Sequence, residues 1–229
     1  MAEATTYWTG ADGGRWQSDS HWEDGLGELW HAVGRESLAI SERLARVLGD
    51  GLPAGRTLEW GAGGGANAVE FAPACEEFVA VDVVASSLDE CARQVARVCS
   101  TPVRPVLIDL AEPEAVVEQV GEDSCDLFLC FYVFELLPSQ EYAARVLEIA
   151  RDLLAPGGLA IIQVKYSTND VSTWSRRRAY RRDLASMTTF AVPEFWELAA
   201  AAGLRPRVVE LVPRNRLDQR YAYFLLTLP

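Results

Sequence analysis

The stretch TLEWGAGGGANAVEFA, residues 57–72, decides the fold. A short apolar run leads into a glycine-rich turn, and a segment with helical character follows. Glycines let a ligand approach the backbone closely, and a helix N-terminus stands behind the turn. Asp82 ends the next apolar run, where a carboxylate can accept hydrogen bonds from ribose hydroxyls. The stretch therefore predicts a strand, a ligand-binding turn and a helix. The alternative is a tight turn without a ligand.

Outward from this stretch, apolar runs alternate with helical patterns, as in an α/β doubly wound sheet with right-handed crossovers. The APGG segment at 155–158 is a helix stop before the fifth run. The predicted strands lie near 57–60, 78–82, 103–108 (weakened by Pro105), 126–131 and 159–164, and the predicted helices near 65–73, 86–98, 113–119 and 139–154.

The two ends of the chain break this alternation. A helix is predicted from about Glu28 to Leu48, and another at about 193–202. The last two β-like runs, 207–212 and 221–228, have no helix between them, which favours an antiparallel pair at the sheet edge. With no repeat and no low-complexity linker, we expect a single domain over 1–229.

Composition narrows the function classes. The net charge of −12 disfavours nucleic acid and anionic membranes as partners. Five cysteines without a C-x-x-C pair argue against a disulfide framework, and together with the absence of a signal-peptide pattern they predict a cytoplasmic protein. No ligand spacing for a metal is present, so we expect no metal site. The oligomeric state is not predicted.

The glycines alone fit two cofactors. Gly61, Gly63 and Ala66 match the dinucleotide fingerprint of dehydrogenases. Glu59, two residues before Gly61, instead suits a cationic ligand end and would gain nothing from a pyrophosphate. A helix also precedes the turn here, whereas dehydrogenases often begin with the fingerprint.

Six motifs in order resemble the class I methyltransferases that use S-adenosylmethionine (SAM), in their broad small-molecule group. The resemblance covers about residues 40–229. The motifs are LEWGAGGGA, FVAVDVV, VLIDL, CDLFLCFYVFELLP, LLAPGGLAIIQV and TTFAVPEFWELAAAAGLRPRVVE.

The resemblance implies a three-layer Rossmann-like methyltransferase fold with a seven-stranded, mostly parallel sheet and an antiparallel last strand. It also implies roles for the motif residues. Glu59, Gly61, Ala62 and Gly63 would line the methionine end of SAM, Asp82 would hold the ribose, Val83, Asp109 and Leu110 would frame the adenine, and Cys130 would offer backbone near the sulfonium.

The acceptor side is less determined by the motifs. Many relatives carry a histidine in the fourth motif where this chain has Leu136, and the motif of base or amide nitrogen methyltransferases is absent. A base near neutral pH could come from His21, His31 or Glu135. For both histidines the alternative is a surface or packing role, and for Glu135 it is a solvated position.

Aromatic and basic residues are the other acceptor candidates. In relatives, the N-terminal segment (1–50 here) forms part of a lid, and an insert after the fifth strand (166–192 here) contributes to the acceptor site. The Arg-rich segment 176–182 could grip an anionic acceptor or be a solvated helix face. The candidate substrate residues are Trp16, Trp22, Phe131, Tyr132, Tyr166, Trp174 and Arg177.

The sequence thus predicts an enzyme, a SAM-dependent methyltransferase acting on O, N or C of a small-molecule acceptor, in bacterial specialised metabolism such as natural product biosynthesis. Alternatives are a protein or RNA methyltransferase, a non-catalytic subunit with the same fold, or an NAD(P)-dependent oxidoreductase.

Overall fold

The computed structural model describes residues 22, 27–49, 51–175 and 187–229. Strands and helices alternate along the central part of the chain. The strands are β1 (Arg56–Trp60), β2 (Glu77–Asp82), β3 (Val103–Leu107), β4 (Cys125–Cys130), β5 (Leu154–Lys165), β6 (Arg205–Arg214) and β7 (Gln219–Thr227). The helices are α1 (Gly27–Val47), α2 (Ala68–Phe71), α3 (Ala85–Val98), α4 (Ala115–Val120), α5 (Gln140–Leu153) and α6 (Val192–Ala201), with 3-10 turns at Ala72–Ala74, Phe134–Leu136 and Val171–Thr173.

The seven strands form one sheet in the order β3-β2-β1-β4-β5-β7-β6. The first five strands pair in parallel, and β7 pairs antiparallel with both β5 and β6. The predicted α/β fold is therefore confirmed, including the antiparallel last strand. Strand order reverses between β1 and β4, and this is where open α/β sheets bind ligands.

Helices cover both faces of the sheet. Successive side chains of a strand point to opposite faces, so each strand packs against both sets of helices. Leu58 and Val79 pack with α5 and α6 on one face, whereas Phe78 and Ala80 pack with α1 and α3 on the other. Both sets of side chains are fully buried. This burial on two faces explains why the central strands are continuous apolar runs.

Two segments differ in detail from the prediction. The helix expected at 65–73 begins only at Ala68, because Gly65 adopts a left-handed φ of 91° and extends the turn. The APGG segment ends α5 as expected, but β5 already begins at Leu154, which pairs with Cys125 across a register shift.

The edge position of β3 explains its proline. Pro105 lies opposite Ala80 of β2, and a residue without a backbone N–H is tolerated on an edge strand. No helix among residues 27–49, 51–175 and 187–229 is long and apolar enough to cross a membrane.

Candidate active site

A cavity of about 340 Å³ opens at the carboxyl ends of β1, β2 and β4. Its walls come from the glycine turn, the loop after β2, the segment after β4 and α1, and from the connection between β6 and β7. Because the cavity lies beside the reversal of strand order, the fold places it where a nucleotide-type ligand is expected.

The glycine turn forms one wall. The backbone N–H groups of Gly61 and Ala62 both donate to the Val81 carbonyl, at 2.8 and 3.1 Å, which ties the turn to β2. Gly61 has a φ of 77°, and a Cβ there would lie 2.4 Å from Cγ2 of Val133. Only glycine meets both conditions, so the turn can pass under the segment that follows β4. Gly61, Ala62 and Gly63 all line the cavity.

Asp82 holds two loops together at the end of β2. Its Oδ2 accepts from the Gly63 N–H at 2.9 Å, and its Oδ1 accepts from the N–H groups of Val83 and Val84 at 2.7 and 3.0 Å. Burial raises the pKa of Asp82, and the three N–H donors act in the opposite direction. The carboxylate lines the cavity, so it both shapes the turn and faces a ligand.

Glu59 lies behind the glycine turn. It is fully buried, and its Oε1 accepts from Nδ2 of Asn67 at 2.6 Å. Its Oε2 and the Oδ1 of Asn67 have no hydrogen-bond partner among the described residues. Burial raises the pKa of Glu59 to about 8, with the Asn67 amide lowering it and the charge of Asp82 raising it. Glu59 is not among the residues that line the cavity, whereas Asn67 is.

The pair Glu59 and Asn67 therefore acts as a unit in which the amide faces the ligand. The sequence analysis missed Asn67. Its signal is an amide side chain at the end of the glycine turn, immediately before the helix.

The apolar slot beyond Asp82 is built differently from the prediction. Val83 and Leu110 line the cavity as expected, and Ile108 joins them. Asp109 is exposed and does not line the cavity; its Oδ1 accepts from the Ala111 N–H at 2.8 Å and stabilises the loop. Cys130 is buried at the end of β4, and it is not a lining residue either. The cofactor roles of these residues stay predictions.

Phe131 and Tyr132 line the cavity directly after β4. Tyr132 has a φ of 58°, a left-handed conformation that is strained for a bulky side chain. Its N–H donates to the Gln163 side chain, and its hydroxyl accepts from Nδ2 of Asn215 at 3.0 Å. Its ring packs against Tyr221 at 5.4 Å between centroids. These contacts hold an aromatic wall in a strained conformation next to the glycine turn.

Glu135 lines the cavity from the 3-10 turn that follows β4. The side chain is 2% exposed, and its Oε2 has no partner among the described residues. Burial raises its pKa to about 7; Lys165 and a hydrogen bond with Tyr221 lower it, and Asp218 raises it. The solvated alternative for Glu135 is therefore wrong.

Three residues around Glu135 were missed by the sequence analysis. Lys165 ends β5 and is buried; it forms an ion pair with the partly exposed carboxylate of Asp218. Tyr221 pairs with Lys165 in the register between β5 and β7. Asp218 and Tyr221 also line the cavity. The available signal is the position of the single lysine at the carboxyl end of a predicted strand, but its partners come from a distant loop.

His31 and Trp22 lie outside the cavity lining. Nδ1 of His31 is 3.1 Å from Oε1 of Glu70, and its ring packs edge-on against Trp22 at 5.0 Å. Trp22 donates its indole N–H to the Gly64 carbonyl at 2.7 Å. Trp22 therefore contacts the glycine turn directly, and His31 contacts Trp22 and Glu70 of α2. His21 and Trp16 lie outside the described residues.

The described insert candidates, Tyr166 and Trp174, are not among the lining residues either. Tyr166 bridges to Phe190 through the backbone. Trp174 is half-exposed and donates to the Thr168 carbonyl at 2.9 Å. Arg177 and the segment 176–182 lie outside the described residues. The acceptor roles of these residues, and the roles of the N-terminal segment and the insert within one domain, stay predictions.

The residues of the cavity fit SAM by the chemistry of their groups. A buried carboxyl–amide pair with unpartnered oxygens suits an ammonium group. Asp82 suits ribose hydroxyls, and the slot formed by Val83, Ile108 and Leu110 suits a flat base. No part of this set favours a pyrophosphate, which would face the Asp82 carboxylate.

Comparisons with known proteins agree with this chemistry. Residues 58–160 match the family model described as a methyltransferase domain. A search of curated protein sequences finds no significant match.

Solved structures give the same fold over nearly the whole chain. The chain is similar to the Burkholderia thailandensis 1,6-didemethyltoxoflavin-N1-methyltransferase, solved with 1,6-didemethyltoxoflavin and S-adenosylhomocysteine (SAH), at 26% identity and a TM-score of 0.66, over 92% of this chain and 85% of that one. It is similar in fold to the magnesium protoporphyrin IX methyltransferase of Synechocystis PCC 6803 with bound SAH, at 16% identity and a TM-score of 0.68, over 97% of each chain. A SAM-dependent methyltransferase of Leishmania major has a TM-score of 0.71 at 16% identity, over 99% of this chain and 82% of that one.

Proposed function

We propose that this chain is a class I SAM-dependent methyltransferase that transfers the methyl group of SAM to a small-molecule acceptor. Residues 58–160 match a methyltransferase domain model, and a 26% identical methyltransferase of known structure covers 92% of the chain. The observation that carries the proposal is a cavity in which the Asn67 amide, Asp82 and an apolar slot adjoin an aromatic wall. The fingerprint of the glycines is thereby assigned to SAM and the dehydrogenase alternative falls away.

Different lining residues bind different parts of SAM. Asn67, backed by Glu59, receives the methionine ammonium, and Asp82 receives the ribose while keeping the glycine turn in place. Val83, Ile108 and Leu110 hold the adenine. When bound, SAM supplies an electrophilic methyl group, whose bond to sulfur breaks with both electrons staying on sulfur as the acceptor bonds to carbon.

The acceptor space explains why a small molecule is proposed. Phe131, Tyr132 and Tyr221 form aromatic walls beside the glycine turn, and such walls exclude water and orient a flat molecule. Orientation of this kind can supply about 7–11 kcal/mol of the barrier reduction in a displacement reaction. The 26% identical Burkholderia neighbour is a 1,6-didemethyltoxoflavin-N1-methyltransferase by name and was solved with 1,6-didemethyltoxoflavin bound.

The cellular setting is part of the proposal. All five cysteines are free, three of them buried, which is typical of proteins from a reducing compartment and supports the cytoplasm. A role in bacterial natural product biosynthesis is consistent with the methyl acceptor of the Burkholderia neighbour.

Two measurements test the function. Calorimetry at a protein concentration near about 100 μM should show heat with both SAM and SAH, and no heat with NADH. Incubation of a lysate with tritiated SAM should then place the label in the small-molecule fraction. Label found only in protein or RNA would contradict the small-molecule proposal. The absence of binding heat with both SAM and SAH would contradict methyl transfer altogether.

A further inference from the structure

In the part of the cavity that we assign to the acceptor, a buried carboxyl has an oxygen without a hydrogen-bond partner among the described residues. Glu135 is 2% exposed and lines the cavity, and its Oε2 has no partner among the described residues. A buried carboxyl oxygen without a donor costs free energy, and native proteins rarely leave one unless a ligand or water completes it.

The surroundings of Glu135 determine the charge that a ligand can carry. Lys165 is 3% exposed, and its ammonium group is bound to Asp218, so its charge is already neutralised. Within the described part of the chain, the charged residues that line the cavity are Asp82, Glu135 and Asp218, all acidic. Among the described residues, an anionic acceptor would face these carboxyl groups and no lining cation, which is electrostatically unfavourable.

The rest of this part of the cavity is apolar and aromatic. Phe131, Tyr132 and Tyr221 stand on one side, and Leu136 and Leu137 belong to the same segment as Glu135. This segment is fixed in place, because the Thr188 N–H donates to the Glu135 carbonyl at 3.3 Å and the Thr188 hydroxyl donates to the Leu137 carbonyl at 2.7 Å. The carboxyl is thus a rigidly positioned polar point in an apolar space.

We propose that Glu135 selects the acceptor: a flat, uncharged or cationic molecule that donates an N–H or O–H hydrogen bond to the Glu135 carboxylate. This proposal rests on the proposed methyl transfer and names its substrate class. Lys165, Asp218 and Tyr221 are positioning residues, since they surround the carboxyl without being the acceptor's partner.

The same hydrogen bond provides the route for a proton. On methylation the N–H or O–H bond of the acceptor breaks, its electron pair stays on the nitrogen or oxygen, and the proton moves to the Glu135 carboxylate and then to water. Burial raises the pKa of Glu135 to about 7, close to the value at which a carboxylate both accepts and releases a proton readily.

Binding of such an acceptor should depend on pH through Glu135. The carboxylate, a better hydrogen-bond acceptor than the acid, forms as pH rises through about 7, so binding should strengthen from about pH 6 to about pH 8. The groups facing Glu135 are Lys165 of β5, Asp218 of the β6–β7 connection, Tyr221 of β7, and Cys130 and Tyr132 at the end of β4. Burial raises the pKa of Cys130, Tyr132 and Tyr221 further above neutrality, so these three do not titrate in that range.

Three small probes test the proposal without knowledge of the natural acceptor. Indole carries the N–H donor, 1-methylindole lacks it, and indole-5-carboxylate adds a negative charge. Binding of each to the SAH-saturated protein is measured by saturation-transfer NMR, which detects dissociation constants up to about 10 mM. Indole should bind at least about ten-fold more tightly than either analogue, and about three- to ten-fold more tightly at pH 8 than at pH 6.

Substitutions of Glu135 test whether its carboxyl group causes these differences in probe affinity. Glu135→Leu should reduce the affinity for indole by about ten-fold or more while SAH affinity stays within about three-fold. Glu135→Gln, which keeps the shape and can fold where the leucine variant does not, should abolish the pH dependence. The matched control is Glu118→Leu, an exposed glutamate of α4, which should leave all three probes unaffected.

The opposite results overturn the proposal. These are equal affinity for indole and 1-methylindole, binding of the carboxylate as tight as that of indole, an unchanged pH dependence in Glu135→Gln, or no probe bound while SAH binds. Failure of SAH itself to bind would instead contradict the methyltransferase function.

Discussion

The two sides of the cavity are built in different ways. The turn side, residues 61–67 and 82–87, comes from two neighbouring strands and the loops that follow them, and backbone groups make most of its contacts. The strand-end side, Phe131 to Leu137 with Lys165, Asp218 and Tyr221, joins three distant parts of the chain through side chains.

This difference indicates which side is free to change. The turn side is fixed by glycine geometry and by a carboxylate that bonds three N–H groups, so nearly any substitution disturbs it. On the strand-end side, most contacts involve side chains from distant parts of the chain. We infer that one side is constrained by SAM and the other adapts to the acceptor.

The largest expected effect comes from adding one carbon to the turn side. Gly61→Ala should weaken SAH binding by about 100-fold or more, because the new Cβ would lie 2.4 Å from Cγ2 of Val133 at a φ of 77°. Gly157→Ala is the matched control, with a φ of 86° and open space around the glycine. It should cost about 1 kcal/mol of stability and leave SAH binding unchanged in calorimetry. Equal losses in both variants would mean that backbone strain alone, not the close approach, matters.

A smaller loss is expected at the end of β2. Asp82→Ala should weaken SAH binding by about 1–3 kcal/mol, since three backbone N–H groups and the ligand lose an acceptor together. Asp109→Ala serves as its counterpart, because Asp109 is exposed and bonds only within its own loop. It should change SAH affinity by less than about two-fold. If Asp109→Ala weakens SAH binding as much as Asp82→Ala does, the predicted contact between Asp109 and the adenine would be supported.

The smallest expected effect comes from Glu59→Gln, which should change both the pH dependence of stability and the affinity for SAH. The pKa of Glu59 is raised to about 8 by burial, so the native state holds a proton that the unfolded state has already lost between about pH 4.5 and pH 8. Stability therefore falls as pH rises through this window, and Glu59→Gln should remove the fall. Without ligand, the melting temperature of Glu59→Gln should exceed that of the wild type by a few degrees at pH 8 and by little at pH 5.

The same substitution should weaken SAH binding by about ten-fold, because the glutamine cannot become an anion opposite the ammonium. Thermal melts with and without SAH measure both effects. Glu70→Gln, a partly exposed glutamate beside His31, is the control and should show neither. A melting temperature of Glu59→Gln that follows the wild type at every pH would show that Glu59 does not carry this proton.

Local patterns predicted the fold well. Strand bounds agreed within a few residues because each central strand is buried on both faces and reads as an apolar run. The start of α2 was misplaced because Gly65 fits a turn or a helix N-terminus equally well in sequence. Of the predicted site residues, Gly61, Ala62, Gly63, Asp82 and Val83 line the cavity because they directly follow strand ends, and their contacts with SAM stay predictions.

Other site residues had no local signal. Asn67 stands between Glu59 and the cavity, and no pattern states which of two adjacent polar groups faces a ligand. His31 was a plausible base by chemistry alone, but α1 turns it towards Glu70.

By itself the sequence determined the sheet, the glycine turn and the acidic residue after β2, because these depend on φ angles and on contacts between neighbours in the chain. Only the tertiary structure decided the surroundings of Glu135. Residues 165, 218 and 221 meet because β7 inserts antiparallel between β5 and β6, which brings the start of β7 to the edge where β4 and β5 end. The resulting burial gives Glu135 its raised pKa, and burial is a property of the packed fold, not of any local stretch of chain.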